Sequence, residues 1–256
     1  MNENIRNEIY SSYKEEFDFS TRLLNYVEMN FLSQANNNII TLNFSKEEQH
    51  AIALLTSEGI RLYKASLILI SEGYASCAFV LSRSLVEIIF NIDYIIEDEN
   101  KKYKRAIKYL NNKKLDEVWK RAELSLNKGL YSVYKMLCEF SHENSKSTLR
   151  NIIDGKYITG AINDEISGTV DIVNSIFYYL IYILHEYYKI DLSELEKINV
   201  PEKVNRFFEV YSTEKYILEK AFEIIKENFY NNLDKDKLKN EYKKYKINKN
   251  FKIRKK

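Results

Sequence analysis

The stretch from Tyr74 to Ile96, YASCAFVLSRSLVEIIFNIDYII, constrains the fold more than any other part of the sequence. Its spacing predicts a helix that is apolar on almost every side, and such a helix belongs at the centre of a core. Yet Arg83 and Glu87 stand in its middle. Because a single charge in a dry core is strongly destabilising, both must have polar partners. The sequence therefore predicts a polar site in the core.

The low content of turn-forming residues favours helices over sheets. One Pro and six Gly in 256 residues are too few for a turn-rich β fold. Apolar spacing and end signals predict further helices at 3–34, 45–71, 99–111, 113–126, 130–142, 164–190, 201–210 and 212–246. The irregular stretch 143–163 fits either a long loop or a short hairpin. We therefore predict an all-α fold, with a single domain over residues 1–230.

Charge is unevenly distributed along the chain. Residues 231–256 contain eleven Lys or Arg and three Asp or Glu, a net charge of +8, whereas the whole chain carries +2. This basic C-terminal extension includes Lys243, Lys244, Tyr245 and Lys246, which are able to neutralise phosphates and stack on bases. A disordered, solubilising tail is the interpretation that we favour, and nucleic-acid binding remains open.

Several features predict a cytoplasmic protein. The N-terminus lacks the basic and apolar segments of a secretion signal. The longest unbroken apolar run, IFYYLIYIL at 176–184, is about half of a membrane span, so no membrane is expected. Cys77 and Cys138 are too few, and too deep in apolar segments, for a disulfide framework.

Arg83 and Glu87 lie one helical turn apart, and two interpretations fit them. In the first they form a structural ion pair, with Arg before Glu in the weaker orientation and a net stability near zero. In the second, Arg83 presents its guanidinium fork to an anion while Glu87 orients it. Spacing alone favours the structural interpretation.

A second polar segment, YKMLCEFSH, runs from Tyr134 to His142. On a helix, Lys135 and His142 share one stripe and lie roughly 10 Å apart along the axis. His142 comes at the helix end, where the negative pole raises its basicity, so a general acid/base role is open. A histidine that only bonds a carbonyl is equally common there. With Cys138, His142 supplies two of the four ligands of a closed zinc site, so we predict no metal and no other cofactor.

Together, the two polar segments resemble an uncharacterised bacterial family of helical proteins related to the HEPN superfamily. That family's pattern is Arg-x-x-x-Glu on a helix rich in small residues and Tyr-Arg-x-Leu-Ser-x-x-x-His on a later helix. The matching positions in this sequence are Ala75, Ala78, Arg83, Leu85, Glu87, Tyr134, Leu137 and His142, with Lys135 at the Arg position and Cys138 at the Ser position. The resemblance covers about residues 50–190. It implies a HEPN-like helical bundle with extra N- and C-terminal helices.

The resemblance also implies a function. HEPN proteins are commonly dimeric, and many are metal-independent endoribonucleases of toxin–antitoxin and phage-defence systems. Their Arg-x4–6-His motif pairs an arginine that holds the scissile phosphate with a histidine that moves protons. Six residues separate Lys135 from His142, which fits, although lysine lacks the bidentate fork of arginine. The implied site is Arg83, Glu87, Lys135 and His142, with RNA as ligand, a homodimer, and an antitoxin or other protein as partner.

Two alternatives to a ribonuclease remain open. The first is a non-catalytic interaction or dimerisation module, in which Arg83, Glu87 and His142 form one buried structural network. The second is an inert body whose tail, residues 231–256, binds nucleic acid. The first alternative predicts a large loss of stability for Arg83→Ala, since breaking a buried ion pair leaves an unpaired charge.

Overall fold

Helices make up almost all of the regular structure. The computed structural model describes residues 3–32, 45–97, 100–125, 129–141, 152–153, 156–157, 163–188, 195, 198, 200–202 and 204. The helices are α1 (Glu3–Ser12), α2 (Lys14–Val27), a π-helical turn (Glu28–Leu32), α3 (Lys46–Ser71), α4 (Ala75–Ile96), α5 (Lys102–Leu110), α6 (Val118–Glu123), α7 (Gly129–Ser141) and α8 (Asn163–Tyr188). The all-α prediction is confirmed.

A short hairpin lies within the stretch that the sequence left open. Strands β1 (Ile152–Ile153) and β2 (Lys156–Tyr157) pair antiparallel, with Ile152 opposite Tyr157. The predicted basic extension at 231–256, and with it the boundary at residue 230, lie outside the described residues.

Helices α3 and α4 form a helical hairpin, and local signals fix both ends of α3. Ser45 begins α3 with a capping box, in which its side chain accepts from the Glu48 N–H while the Glu48 carboxylate accepts from the Ser45 N–H. Gly73 ends it with a φ of +82°, a left-handed conformation that suits glycine. The Tyr74 N–H donates to the Leu69 carbonyl at 2.8 Å, which completes the turn into α4.

Helix α4 is the central helix, as predicted, and it packs against α3, α5, α6, α7 and α8. Its larger fully buried side chains are Leu85, Val86, Ile89, Phe90, Ile92 and Ile95. A Cβ added at Gly59 of α3 would lie 2.9 Å from Leu180 Cδ2 and 3.4 Å from Leu85 Cδ1. The missing side chain of Gly59 therefore lets α3, α4 and α8 approach closely.

Two described helical segments, Ala75–Ile96 and Ile166–His185, are long and apolar enough to cross a membrane. Within the fold, 56% of the first and 72% of the second is buried. Core helices that bury their apolar sides against each other have the same length and composition. The cytoplasmic location therefore stays a prediction.

The prediction of one continuous helix at 3–34 is wrong. The chain leaves helical geometry at Tyr13, with φ −122° and ψ 34°, and the final turn of the segment is π-helical. Just before the break, the Ser11 hydroxyl donates to the Glu8 carbonyl at 2.9 Å. Serine side chains that bond the backbone in this way compete with regular helix geometry. The break separates α1 from α2.

The helix predicted at 113–126 is shorter than expected, because α6 begins only at Val118. Tertiary contacts hold the residues before it in a non-helical connection. The Asp116 carboxylate pairs with Lys108 of α5 at 3.3 Å, and the Asp116 carbonyl accepts from Arg121 Nε at 2.8 Å. These bonds depend on the folded chain, so local propensity does not indicate them.

Candidate functional site

The two predicted polar segments meet where α4 packs against α7. Arg83 Nε donates to Glu87 Oε1 at 3.3 Å along α4. The Tyr134 hydroxyl of α7 donates to the same Glu87 oxygen at 3.1 Å. The Arg83 guanidinium carbon also lies 6.0 Å from the centroid of the Tyr134 ring, within the range of a cation–π contact. Tyr134 therefore contacts both members of the ion pair.

The ion pair is not dry, and this corrects the expectation of a charged pair inside the core. The Arg83 side chain is 31% exposed and the Glu87 side chain 28% exposed. The pair lies on the flank of α4 beside α7, while the opposite flank of α4 faces the core through Leu85, Ile88 and Ile92. Water therefore reaches both charges, and their mutual attraction is weak. A ligand is able to reach Arg83 by the same route.

Lys135 extends the cluster along α7. Its side chain is exposed, and its Nζ lies 4.6 Å from the centroid of the Tyr131 ring. The Tyr131 and Tyr134 rings stack with centroids 6.1 Å apart and an interplanar angle of 11°. Arg83 lies over one ring of this pair and Lys135 over the other. The stacked Tyr131 and Tyr134 rings thus link Lys135 to Arg83 and Glu87.

Burial keeps the Tyr134 hydroxyl protonated. It raises the pKa of Tyr134 well above its ordinary value, and the neighbouring Cys138 thiol and Glu87 carboxylate raise the pKa further. A protonated hydroxyl is the form that donates to Glu87.

The free cysteines differ in burial: Cys138 is half-buried near this bond, whereas Cys77 is exposed, contrary to the deep placement that we expected.

Other members of the predicted site lie outside the described residues. His142 directly follows Ser141, the last residue of α7, and Lys243, Lys244, Tyr245 and Lys246 belong to the C-terminal extension. The convergence of His142 on Arg83 and Glu87 therefore stays a prediction, as does the role of the extension.

A second arginine beside this cluster was missed by the sequence analysis. Arg121 of α6 is 9% exposed, donates from Nη1 to the Asn91 side-chain carbonyl on α4, and donates from Nε to the Asp116 carbonyl at 2.8 Å. Burial lowers the pKa of Arg121, and the negative charge of Glu87 opposes that effect. No sequence signal separates Arg121 from the exposed Lys120 beside it.

Buried polar groups elsewhere join helices together. The Asn174 carbonyl of α8 accepts from the Ser20 and Tyr63 hydroxyls at 2.7 and 2.5 Å, while its amide donates to the Glu16 carbonyl. The Ser125 hydroxyl donates to Asp93 at 2.5 Å. Hydrogen bonds of this kind between buried side chains favour one arrangement of the helices.

His185 lies in the core. It is buried and hydrogen-bonded to the Tyr26 hydroxyl. Within the ranges that the structure describes, no three His, Cys, Asp or Glu side chains come together to hold a metal ion.

Comparison with known proteins identifies a shared segment but no activity. Residues 49–125 match the model of a family of unknown function (DUF5677). The matched segment includes most of α3, all of α4, α5 and α6, and therefore Arg83, Glu87, Asn91 and Arg121. It ends before α7 and covers less than a third of the chain. No curated protein and no solved structure matches the sequence significantly.

Proposed function

We propose that this chain is a cytoplasmic, HEPN-like protein of toxin or phage-defence type, which binds RNA at the α4–α7 site and cleaves it without a metal ion. The observation that carries the proposal is the arrangement of Arg83. Its Nε is held by Glu87, while its two terminal nitrogens have no hydrogen-bond partner among the described residues. An arginine fixed at one edge offers the other edge to a phosphate as a bidentate donor.

Charge near Arg83 also favours a phosphate. The side chains of the cluster carry two cations, Arg83 and Lys135, against one carboxylate, Glu87. Lys135 acts as a mobile point charge, since it lies at the surface and its stem is flexible. An RNA strand that contacts both Arg83 and Lys135 would pass along the stacked Tyr131 and Tyr134 rings. The extension with Lys243, Lys244, Tyr245 and Lys246 would add further phosphate contacts.

The chemistry that suits these groups is transesterification of RNA. The 2′-hydroxyl attacks the adjacent phosphorus, the bond to the leaving 5′-oxygen breaks, and a cyclic phosphate and a free 5′-hydroxyl result. His142 takes the proton of the 2′-hydroxyl or gives one to the leaving oxygen. Arg83 and Lys135 stabilise the additional negative charge on the pentacovalent phosphorane.

An RNA digestion in EDTA tests this proposal. Wild-type protein, His142→Ala and Arg83→Ala are incubated with total RNA, beside His50→Ala and Arg61→Ala, which remove an exposed histidine and an exposed arginine of α3. We expect both site variants to lose at least about 100-fold in cleavage rate and both controls to cut like wild type. Identical RNA profiles for wild type and His142→Ala would refute the enzymatic role.

A non-catalytic interaction or dimerisation module is the alternative proposal. The exposed Tyr74 and Val80 favour it, because they lie at the start of the most apolar helix of the fold. It predicts a homodimer that Val80→Asp dissociates, with no RNA binding in either form. Sedimentation equilibrium of wild type and Val80→Asp measures the dimer. A monomer at all concentrations would exclude homodimerisation through this face.

A further inference from the structure

We infer that Arg121 is a positioning residue of the α4–α7 site: through Asn91 and Glu87 it keeps Arg83 turned toward a phosphate. This inference rests on the proposed function. Arg121 itself does not contact the ligand in this account, because its guanidinium is buried and bonded to protein groups.

The contacts of Arg121 connect α6 to the polar flank of α4. One guanidinium nitrogen donates to the Asn91 side chain, and Nε donates to the Asp116 carbonyl. Asn91 follows Glu87 by four residues, as Glu87 follows Arg83, so the three lie on one flank at successive turns. Arg121 is therefore fixed one turn beyond Glu87, on the side away from Arg83.

The charge of Arg121 acts on Glu87. A buried cation must be compensated by nearby negative charge. The negative charge of Glu87 opposes the lowering of the Arg121 pKa by burial, and does so more strongly than that of Glu117. Glu87 is thus attracted by Arg121 from one side and by Arg83 from the other, while the Tyr134 hydroxyl fixes one of its oxygens.

Removal of the Arg121 charge would shift this balance. Glu87 would be free to turn further toward Arg83, accept from Nε and one terminal nitrogen with its two oxygens, and neutralise its charge more fully. The site would then lose the phosphate contact of Arg83 although Arg83 is still present. A residue that served only the packing of α6 against α4 would not have this effect.

The salt dependence of RNA binding tests the inference. A labelled single-stranded RNA is titrated at several salt concentrations into proteins carrying His142→Ala, which keeps the RNA intact. Arg83→Ala is expected to lower the slope of log K against log [salt] by about 0.7, the value for one phosphate contact on a single strand. We expect Arg121→Met to lower the slope equally, and the double variant to add nothing further.

Arg105→Met is the matched control. Arg105 of α5 also bonds α4, donating to the Tyr94 carbonyl at 2.5 Å, about one turn beyond Asn91 and further from Arg83. The Arg105→Met variant should have a lower melting temperature and an unchanged slope of log K against log [salt]. If Arg121→Met does not fold, Asn91→Leu breaks the same connection from the α4 side and should give the same lowered slope.

The outcomes separate the two proposals. A lowered slope for Arg83→Ala together with an unchanged slope for folded Arg121→Met, or for Asn91→Leu in its place, overturns the inference and leaves the phosphate site standing. An unchanged slope for Arg83→Ala overturns the proposed function itself, and the inference with it. Equal lowering in Arg83→Ala and Arg121→Met, without a further change in the double variant, supports both.

Discussion

Replacing Arg83 and Arg121 one at a time by alanine should produce very different losses of stability. Arg83 is bonded to a half-exposed carboxylate at 3.3 Å. Exposed and partly exposed pairs of this kind contribute about 0.2–1 kcal/mol, and the distant contact with the Tyr134 ring adds about 0.5 kcal/mol. We therefore expect Arg83→Ala to lower the free energy of unfolding by about 1 kcal/mol or less.

Replacing Arg121 by alanine should lower the free energy of unfolding considerably more. Its removal breaks the hydrogen bonds from its charged guanidinium to the Asn91 and Asp116 carbonyls, and such charge-assisted bonds contribute roughly 1.5–3 kcal/mol each. Glu87 also loses a compensating charge, although its partial exposure reduces that penalty. The expected loss for Arg121→Ala is about 2–4 kcal/mol.

Urea unfolding followed by circular dichroism measures both losses. Arg61→Ala is the control, because Arg61 forms an exposed ion pair with Glu58 on α3 and should change stability by about 0.5 kcal/mol or less. A loss of about 3 kcal/mol or more for Arg83→Ala would refute the solvated pair and favour the buried structural network. A loss of stability for Arg121→Ala as small as that for Arg61→Ala would refute the buried, hydrogen-bonded state of Arg121.

Three further predictions concern the core. Asn174→Leu leaves the buried Tyr63 hydroxyl without its amide acceptor, so urea unfolding should show a loss of about 2–3 kcal/mol, and no change would contradict the network. Gly59→Val places its Cβ 2.9 Å from a Leu180 methyl, so overpacking should lower the melting temperature, and a stabilised variant would contradict the close approach. Burial raises the pKa of Tyr188 from 10.0 to about 12, so above pH 10 the unfolded chain loses this proton first. The free energy of unfolding should then fall between pH 10 and 12, and less steeply in Tyr188→Phe; equal pH profiles would contradict this pKa.

Much of the fold follows from local sequence signals. Ser45 with Glu48 indicates the start of α3, Gly73 indicates the turn, and the composition of 74–96 indicates the central helix. The errors fall where tertiary or side-chain contacts override propensity. The break at Tyr13 and the late start of α6 at Val118 are of this kind.

The candidate site was predictable only in part. The joining of the two polar segments into one site was an expectation from the family resemblance, and Glu87 of the first segment does accept a hydrogen bond from Tyr134 of the second. The solvent exposure of Arg83 and Glu87 was not predictable, because periodicity does not show which flank of an apolar helix other helices leave uncovered. Arg121 lies in a short charged helix that has the composition of a surface segment, and only the packing of α6 on α4 buries it.

The most direct test of the phosphate site is an NMR titration of arginine side chains. Protein with isotope-labelled arginine is titrated with a short single-stranded RNA, and the Arg83 Nε–H resonance is assigned by its loss in Arg83→Lys. If Arg83 binds phosphate, its signal should show a saturable shift, while the Arg61 signal should not shift. An Arg83 signal that stays unchanged while RNA binds elsewhere would contradict phosphate binding by Arg83.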